Sequence, residues 1–359
     1  MERVYRESVS ERAESNLKES QAGSGRVFGP GGGPHPLERT RLAPSPTGAL
    51  HLGNARTFLI NWALAKQRGW RILLRIEDLD TPRVKPGVTD ALLRTLETLG
   101  LHWDEGPFVQ SNDLEPYSEA MHTLSKRGLV YPSAESRGEI EDAAAGAISA
   151  PQEGAHESNF PASRRPATFP TQFAPEGSEV NWRFATPGQT VEFDDGIAGL
   201  QRRFPAKTIG DFVVWTKRGQ PSYQLAVVVD DAGQGITHIV RGNDLLDSAA
   251  RQMLLMEPLG IARIPAYFHV PLVRGEDGKR LAKRHGDTRV DTYLNAGVDP
   301  RRIISLLARW SGVSDAPDEM GAEEFARVFD LSRLPPDDVV FTARDDQWLK
   351  HKHPSAKQS

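Results

Sequence analysis

The chain of 359 residues contains no cysteine. Neither a disulfide nor a thiolate metal site can therefore form within it. Histidine clusters with metal-ligand spacing are missing as well. Long apolar runs are also absent: residues 1–37 hold no apolar stretch that could act as a secretory segment, and no run elsewhere is long enough to span a bilayer. A cytoplasmic protein with no membrane partner is expected. Nor is there an excess of either charge, since 44 Lys and Arg stand against 48 Asp and Glu, for a net charge of −4. Any nucleic-acid contact must then use a local basic surface, because the global field does not supply one. The length suggests about two domains on a prior of roughly 150 residues each.

Residues 1–37 are charged and then Gly-rich, as a disordered extension would be. Residues 138–179, rich in Ala, Glu, Ser and Pro, read as a loose loop or insertion. Between and after these stretches the pattern is more regular. Residues 41–54 read RLAPSPTGALHLGN. The P-S-P-T-G run dictates a turn of defined shape. After it, Leu52, Ala55, Leu59, Trp62 and Ala63 recur at helical spacing, and Gly69 marks the stop. The element reads as strand, shaped loop, then helix, with His51 at the junction and Asn54 about a turn on. The first turn of a helix carries unpaired N–H groups and a partial positive charge, which together attract phosphate. For an isolated H-x-G-x, an ordinary turn with a capping histidine is the simpler reading.

WRILLRIEDLD has the look of a buried parallel strand that delivers acids at its carboxyl edge. TDALLRTLETLGL is an amphipathic helix, SYQLAVVVDD reads as another buried strand with an acidic end, and DSAARQMLLMEPLG is helical. Alternation of strand and helix predicts an α/β fold with a parallel sheet. Ligands in such sheets bind beyond the carboxyl ends of the strands. The candidates there are the P-S-P-T-G loop with His51, the acids Glu77, Asp78 and Asp80, Tyr223 with Asp230 and Asp231, and Arg241 with Asp244. Each alone has a plain explanation as a cap or a solvated turn; their convergence on one cleft is the expectation. GEDGKRLAKRHGD, residues 275–287, gathers Lys279, Arg280, Lys283 and Arg284. A basic loop is ordinarily a solvated face, but a lysine on a flexible stem can also neutralise charge developing on a triphosphate.

Taken in order, these motifs resemble those of class I aminoacyl-tRNA synthetases. PSPTGALHLGN resembles the HIGH motif and RLAKR the KMSKS motif, while RLAPSPTG, RIEDLD, YQLAVVVDD and VRGNDL are similar to the glutamyl branch over roughly residues 39–350. The resemblance implies a Rossmann-like catalytic domain at 38–290 with an acceptor-binding insertion at about 105–205. A short helical region at 291–359 would follow, with no anticodon-binding domain. It also implies that Arg41, Ser45, Glu77, Tyr223 and Arg241 bind L-glutamate, with Arg241 taking the side-chain carboxylate through its guanidinium fork. Pro44, Thr47, Gly48, His51, Gly53, Asn54 and Lys283 would bind ATP, with magnesium accompanying the nucleotide, and His51, Asn54 and Lys283 would serve catalysis.

Two departures stand out. Arg280 and Ala282 replace the first lysine and the serine of KMSKS. Ser133, Glu135, Phe160 and Ser163 stand where relatives place zinc ligands, so no zinc is expected. The truncated plan resembles the short branch of the family, which attaches glutamate to the queuosine base in the anticodon of tRNA(Asp). Arg137, Arg202, Arg203 and Lys207 are candidates for that RNA's phosphates, and a monomer is expected. Two readings compete: a truncated enzyme that charges a tRNA 3′ end, and a catalytically silent RNA-binding relative.

Overall fold

The computed structural model describes residues 37–80, 84, 87–133, 159–174, 180–279, 281 and 288–351. The expected disordered extension falls outside the described residues except at Leu37, and so does most of the loose stretch at 138–179. Strand β1 (Arg39–Leu42) leads through the P-S-P-T-G turn into helix α1 (Leu52–Arg68), which ends at Gly69 in the left-handed region with φ 70°. Strand β2 (Arg71–Ile76) returns parallel to β1, with Arg41 opposite Leu73. Helix α2 (Val88–Thr98) and strand β3 (Glu105–Val109) complete the unit, β3 again parallel to β2. A buried helix between parallel strands is what the apolar run and its glycine stop dictate.

Helix α3 (Glu115–Lys126) precedes a three-stranded antiparallel sheet of β4 (Val130–Ser133), β5 (Asn181–Phe184) and β8 (Phe212–Trp215). Between β5 and β8 come the hairpin β6 (Val191–Asp195) and β7 (Gly199–Arg203) and the one-turn helix α4 (Pro205–Thr208). Helix α5 (Tyr223–Gly233), strand β9 (His238–Gly242), helix α6 (Leu246–Met256) and strand β10 (Ala266–Val270) follow. Strands β6, β10 and β9 run parallel. Thr237 N donates to Arg39 O at 2.9 Å, which brings the start of β9 alongside β1 and joins the two groups of parallel strands. Strand β11 (Val273–Arg274), helices α7 (Val290–Asn295), α8 (Pro300–Trp310) and α9 (Ala322–Val328), strand β12 (Val339–Val340) and helix α10 (Ala343–Lys350) close the chain.

One expectation is overturned. The run SYQLAVVVDD, read as a buried strand, is helix α5 with Ser222 as its N-cap, whose side chain accepts from Leu225 N. Tyr223 to Val228 are all buried, so the helix has no exposed stripe in its first turns to give it a period. Burial on every side, here against α3, α6 and β8, makes a helix and a strand look alike in sequence. The β-branched valines then weighed the wrong way.

The main core wraps α1 and includes Leu59, Trp62, Leu74, Val270 and Ile303. Among the described residues no helix is long and apolar enough to cross a membrane.

Candidate active site

The carboxyl ends of β1 and β2 meet the last turn of α5 in a buried network of charge. Arg41 on β1 donates through Nε to Asp231 Oδ1 at 3.1 Å. Arg75 on β2 donates from Nη1 to the same oxygen at 2.8 Å and to Gln234 Oε1 at 2.9 Å, and from Nη2 to Glu77 Oε1 at 3.2 Å. Asp230 pairs with Arg75 Nε at 3.7 Å and accepts from Tyr117 Oη at 2.9 Å and Gln110 Nε2 at 2.6 Å. Glu77 lies just past β2, and its backbone N–H donates to Pro44 O at 3.1 Å, so the turn and the acid are tied together.

Burial and charge oppose one another here. Burial disfavours the Asp231 carboxylate, but Arg41 and Arg75 outweigh it and hold its pKa below the ordinary value. Burial pushes Glu77 and Asp230 up in spite of Arg75. Arg75 is itself desolvated, yet Asp231, Asp230 and Glu77 raise its pKa. The pair Asp230 and Asp231, which the sequence offered as a strand-end acid pair, acts as an anchor for two arginines at the end of a helix.

Tyr223 begins α5 and is buried; its phenol lies within electrostatic reach of Arg241, Glu77, Arg41 and Asp231, and burial raises its pKa. Arg241, on β9, is 5% exposed and sits over the ring of Tyr267 at 5.3 Å. Arg41 and Glu77 thus belong to the network, Tyr223 lies within its electrostatic reach, and Arg241 acts on the same phenol. Ser45 is half-buried in the adjoining turn. Asp78 and Asp80 are engaged elsewhere: Asp78 accepts from Ser111 N and Oγ at 2.9 and 2.6 Å, and Asp80 lies 4.0 Å from Arg218.

His51 is the N-cap residue of α1, with extended backbone and no side-chain cap bond. Its Nδ1 lies 3.1 Å from Thr288 Oγ1, and Leu52 N donates to Thr288 O at 3.0 Å. Gly53 packs against β11, where an added Cβ would meet Val273 Cβ at 3.4 Å; Gly48 faces open space, and Asn54 is exposed. Leu281 is buried in the main core. The chain on both sides of the basic loop is thus docked against the start of α1. Arg280, Ala282, Lys283 and Arg284 lie outside the described residues, as do Glu135 and Arg137.

Of the positions expected to replace zinc ligands, Ser133 is buried on β4 opposite Asn181, and Ser163 is exposed. Phe160 packs under the Arg183 guanidinium at 3.9 Å and bridges to Gly210, whose φ of 74° and lack of a Cβ allow the close approach. Arg165 clamps Asp211 in a two-point contact at 2.6 and 2.7 Å, and Tyr131 Oη donates to the same carboxylate at 2.5 Å. The candidate RNA contacts Arg202 and Arg203 pair with Glu192 at 3.1 Å and Asp247 at 2.8 Å, and Lys207 sits over the Phe204 ring.

Sequence reasoning missed the hub, Arg75, although it quoted the strand that carries it. A charged residue inside an otherwise apolar strand was the available signal. It also missed Gln110, Tyr117 and the trio Asp195, His269 and Gln252 around Arg241.

The family described as tRNA synthetases class I (E and Q), catalytic domain, matches residues 38–345. The chain belongs to this family of class I tRNA synthetases. It is 43% identical over 313 residues to a glutamyl-Q tRNA(Asp) synthetase of Symbiobacterium thermophilum, covering 84% of this chain and 95% of that protein. A glutamyl-Q tRNA(Asp) synthetase of Rhodopirellula baltica is 42% identical, over 77% of this chain and 86% of its own. A glutamate–tRNA ligase of an Azoarcus species is 38% identical, over 87% of this chain and 66% of its own. Among solved structures, a glutamate tRNA ligase from Elizabethkingia meningosepticum in complex with its amino acid superposes with a TM-score of 0.70 at 27% identity, covering 88% of this chain and 69% of that one.

Proposed function

We propose that the chain activates L-glutamate with ATP and transfers the glutamyl group to the queuosine base in the anticodon of tRNA(Asp), working as a cytoplasmic monomer. The carrying observation is the buried network in which Arg41, Glu77 and Tyr223 lie together with Arg241 nearby. These side chains carry both charge signs, which suits an amino acid with a second carboxylate. Glu77 would hold the ammonium group, Arg41 and Ser45 the backbone end, and Arg241 the side-chain carboxylate. Tyr267 Oη, Gln252 Nε2 and Asp231 Oδ2 are buried polar atoms with no hydrogen-bond partner among the described residues.

The glutamate α-carboxylate attacks the α-phosphorus of ATP; the bond to the bridging oxygen breaks and pyrophosphate leaves. His51, Asn54, Pro44, Thr47, Gly48 and Gly53 frame the start of α1, where the helix end favours phosphate, and Lys283 would neutralise charge on the leaving group. Among the described residues no group of three His, Asp or Glu could hold a metal ion. Magnesium would accompany the phosphates of ATP. In the second step a hydroxyl of the queuosine cyclopentene ring attacks the acyl carbon and AMP departs. RNA loops present unstacked bases that a catalytic cleft can receive. Arg137, Arg202, Arg203 and Lys207 are proposed phosphate contacts, the two paired arginines having first to exchange partners.

The test supplies radiolabelled glutamate with tRNA(Asp) containing queuosine, the same tRNA without it, and tRNA(Glu), then removes the 3′-terminal adenosine. Label confined to the queuosine form and surviving the removal supports the proposal. Label lost with the terminal nucleotide favours ordinary 3′-end charging, the reading that the similarity to glutamate–tRNA ligases keeps in play.

A further inference from the structure

Three parallel strands set three side chains in a row. Arg241 and His269 are register partners on β9 and β10, and Asp195 ends β6 opposite Tyr267 of β10. Arg241 Nε donates to His269 Nε2 at 3.0 Å, and His269 Nδ1 lies 2.6 Å from Asp195 Oδ2. Since a guanidinium has only N–H groups to offer, His269 Nε2 must be the acceptor, and the imidazole proton sits on Nδ1 and is donated to Asp195. Asp195 is fixed in turn: its Oδ1 accepts from the backbone N–H of Ile197, Ala198 and His269 at 3.0, 2.8 and 3.1 Å. Gln252 Oε1 and Leu245 O take one N–H from each terminal nitrogen of Arg241, at 2.9 and 3.3 Å. Among the described residues, three of its five donors are thereby committed, which leaves one on each terminal nitrogen.

We infer that Asp195 and His269 are positioning residues that hold the Arg241 guanidinium with its two remaining donors toward the side-chain carboxylate of the amino-acid substrate. This rests on the reading of Arg241 as the partner of that carboxylate. The relay has its own logic. His269, Asp195 and Arg241 are all buried, and burial lowers the imidazole pKa to about 4, so His269 stays a neutral acceptor and sets no second positive charge against Arg241. Asp195 carries the negative charge, its pKa lowered in spite of burial by His269 and the backbone N–H groups. The tautomer is the vulnerable point, because one proton on the wrong nitrogen turns the acceptor into a donor.

Asp195→Asn tests this with almost no change in shape. The amide oxygen must stay where three backbone N–H groups point, so the amide NH2 faces His269 Nδ1 and donates to it. The imidazole proton moves to Nε2 and confronts Arg241 Nε–H, as an Asp-to-Asn change imposes the wrong tautomer on a catalytic histidine in a triad. In ATP–pyrophosphate exchange, the KM for L-glutamate should rise about 10- to 100-fold, while the KM for ATP and kcat at saturating glutamate stay within about twofold. His269→Gln, which can offer an oxygen to Arg241, should raise that KM less than His269→Leu. Arg241→Leu is the reference. If it raises the glutamate KM and Asp195→Asn does not, the inference is overturned and the reading of Arg241 stands. If Arg241→Leu itself leaves the glutamate KM unchanged, the assignment of Arg241 falls and the inference with it. Should Asp195→Asn fail to fold by circular dichroism, the two His269 variants decide, and equal KM values in them overturn the inference.

Discussion

Replacing Arg75 by Met would separate the buried ion network from simple packing. The methionine keeps much of the aliphatic volume of the arginine and removes its charge. Arg75 is 0% exposed and its guanidinium reaches Asp231, Glu77 and Asp230 at 2.8, 3.2 and 3.7 Å. Loss of one partner from a buried ion pair costs about 3–5 kcal/mol, because the remaining charge stays desolvated and uncompensated. Asp231 retains Arg41, so most of the loss falls on Glu77 and Asp230, whose burial already favours their neutral forms. For a unit of this size about 1 kcal/mol moves the melting midpoint by roughly 2 °C, so the drop should be about 6–10 °C. With Arg75 gone, the Glu77 pKa should rise further, with only Arg41 left to oppose burial, and its hold on an ammonium group should weaken, so the KM for glutamate should rise as well. Differential scanning calorimetry and ATP–pyrophosphate exchange measure the two effects. A midpoint within 2 °C of the wild type, with an unchanged KM for glutamate, would refute the argument that these carboxylates depend on Arg75 for their charge.

Three other outcomes are expected. Stability should fall as pH drops from about 6.5 toward about 4: His238, stacked on Trp70 at 3.8 Å, and His269 both have pKa values lowered to about 4, mainly by burial. A histidine whose folded pKa lies below its unfolded value of about 6.5 contributes stability that is complete above 6.5 and lost as pH falls through the folded value; NMR titration giving His269 a pKa above 6 would contradict this. The purified chain should carry no stoichiometric zinc, since Ser133, Glu135, Phe160 and Ser163 offer no thiolate-rich set; elemental analysis finding one tightly held zinc per chain would overturn the expectation. Lys283→Ala should slow pyrophosphate exchange by removing charge stabilisation from the transition state while glutamate binding changes little; equal loss of both would count against that role.

The order of motifs along the chain determined the family by itself and proposed the residues of an amino-acid pocket. Helix α1 could be bounded from its apolar spacing and Gly69, because an exposed, left-handed glycine stop is a local signal. Glu77 and Arg241 were legible because polar residues at the ends of apolar strands are few and point to a ligand edge, whereas Arg41, inside β1, came only through the family resemblance. What the sequence could not determine was whatever depends on burial from several sides. The run from Tyr223 to Asp231 has no amphipathic period, since its neighbours α3, α6 and β8 cover it on opposite faces, and only that packing makes it a helix. Arg75 is one more letter in a strand until β1 and the end of α5 close over it and surround it with three carboxylates. Likewise Asp195, Arg241 and His269 lie far apart in the chain. Parallel pairing of β6, β10 and β9 alone sets their side chains within hydrogen-bond distance, because register across a sheet is a tertiary property that no local pattern encodes.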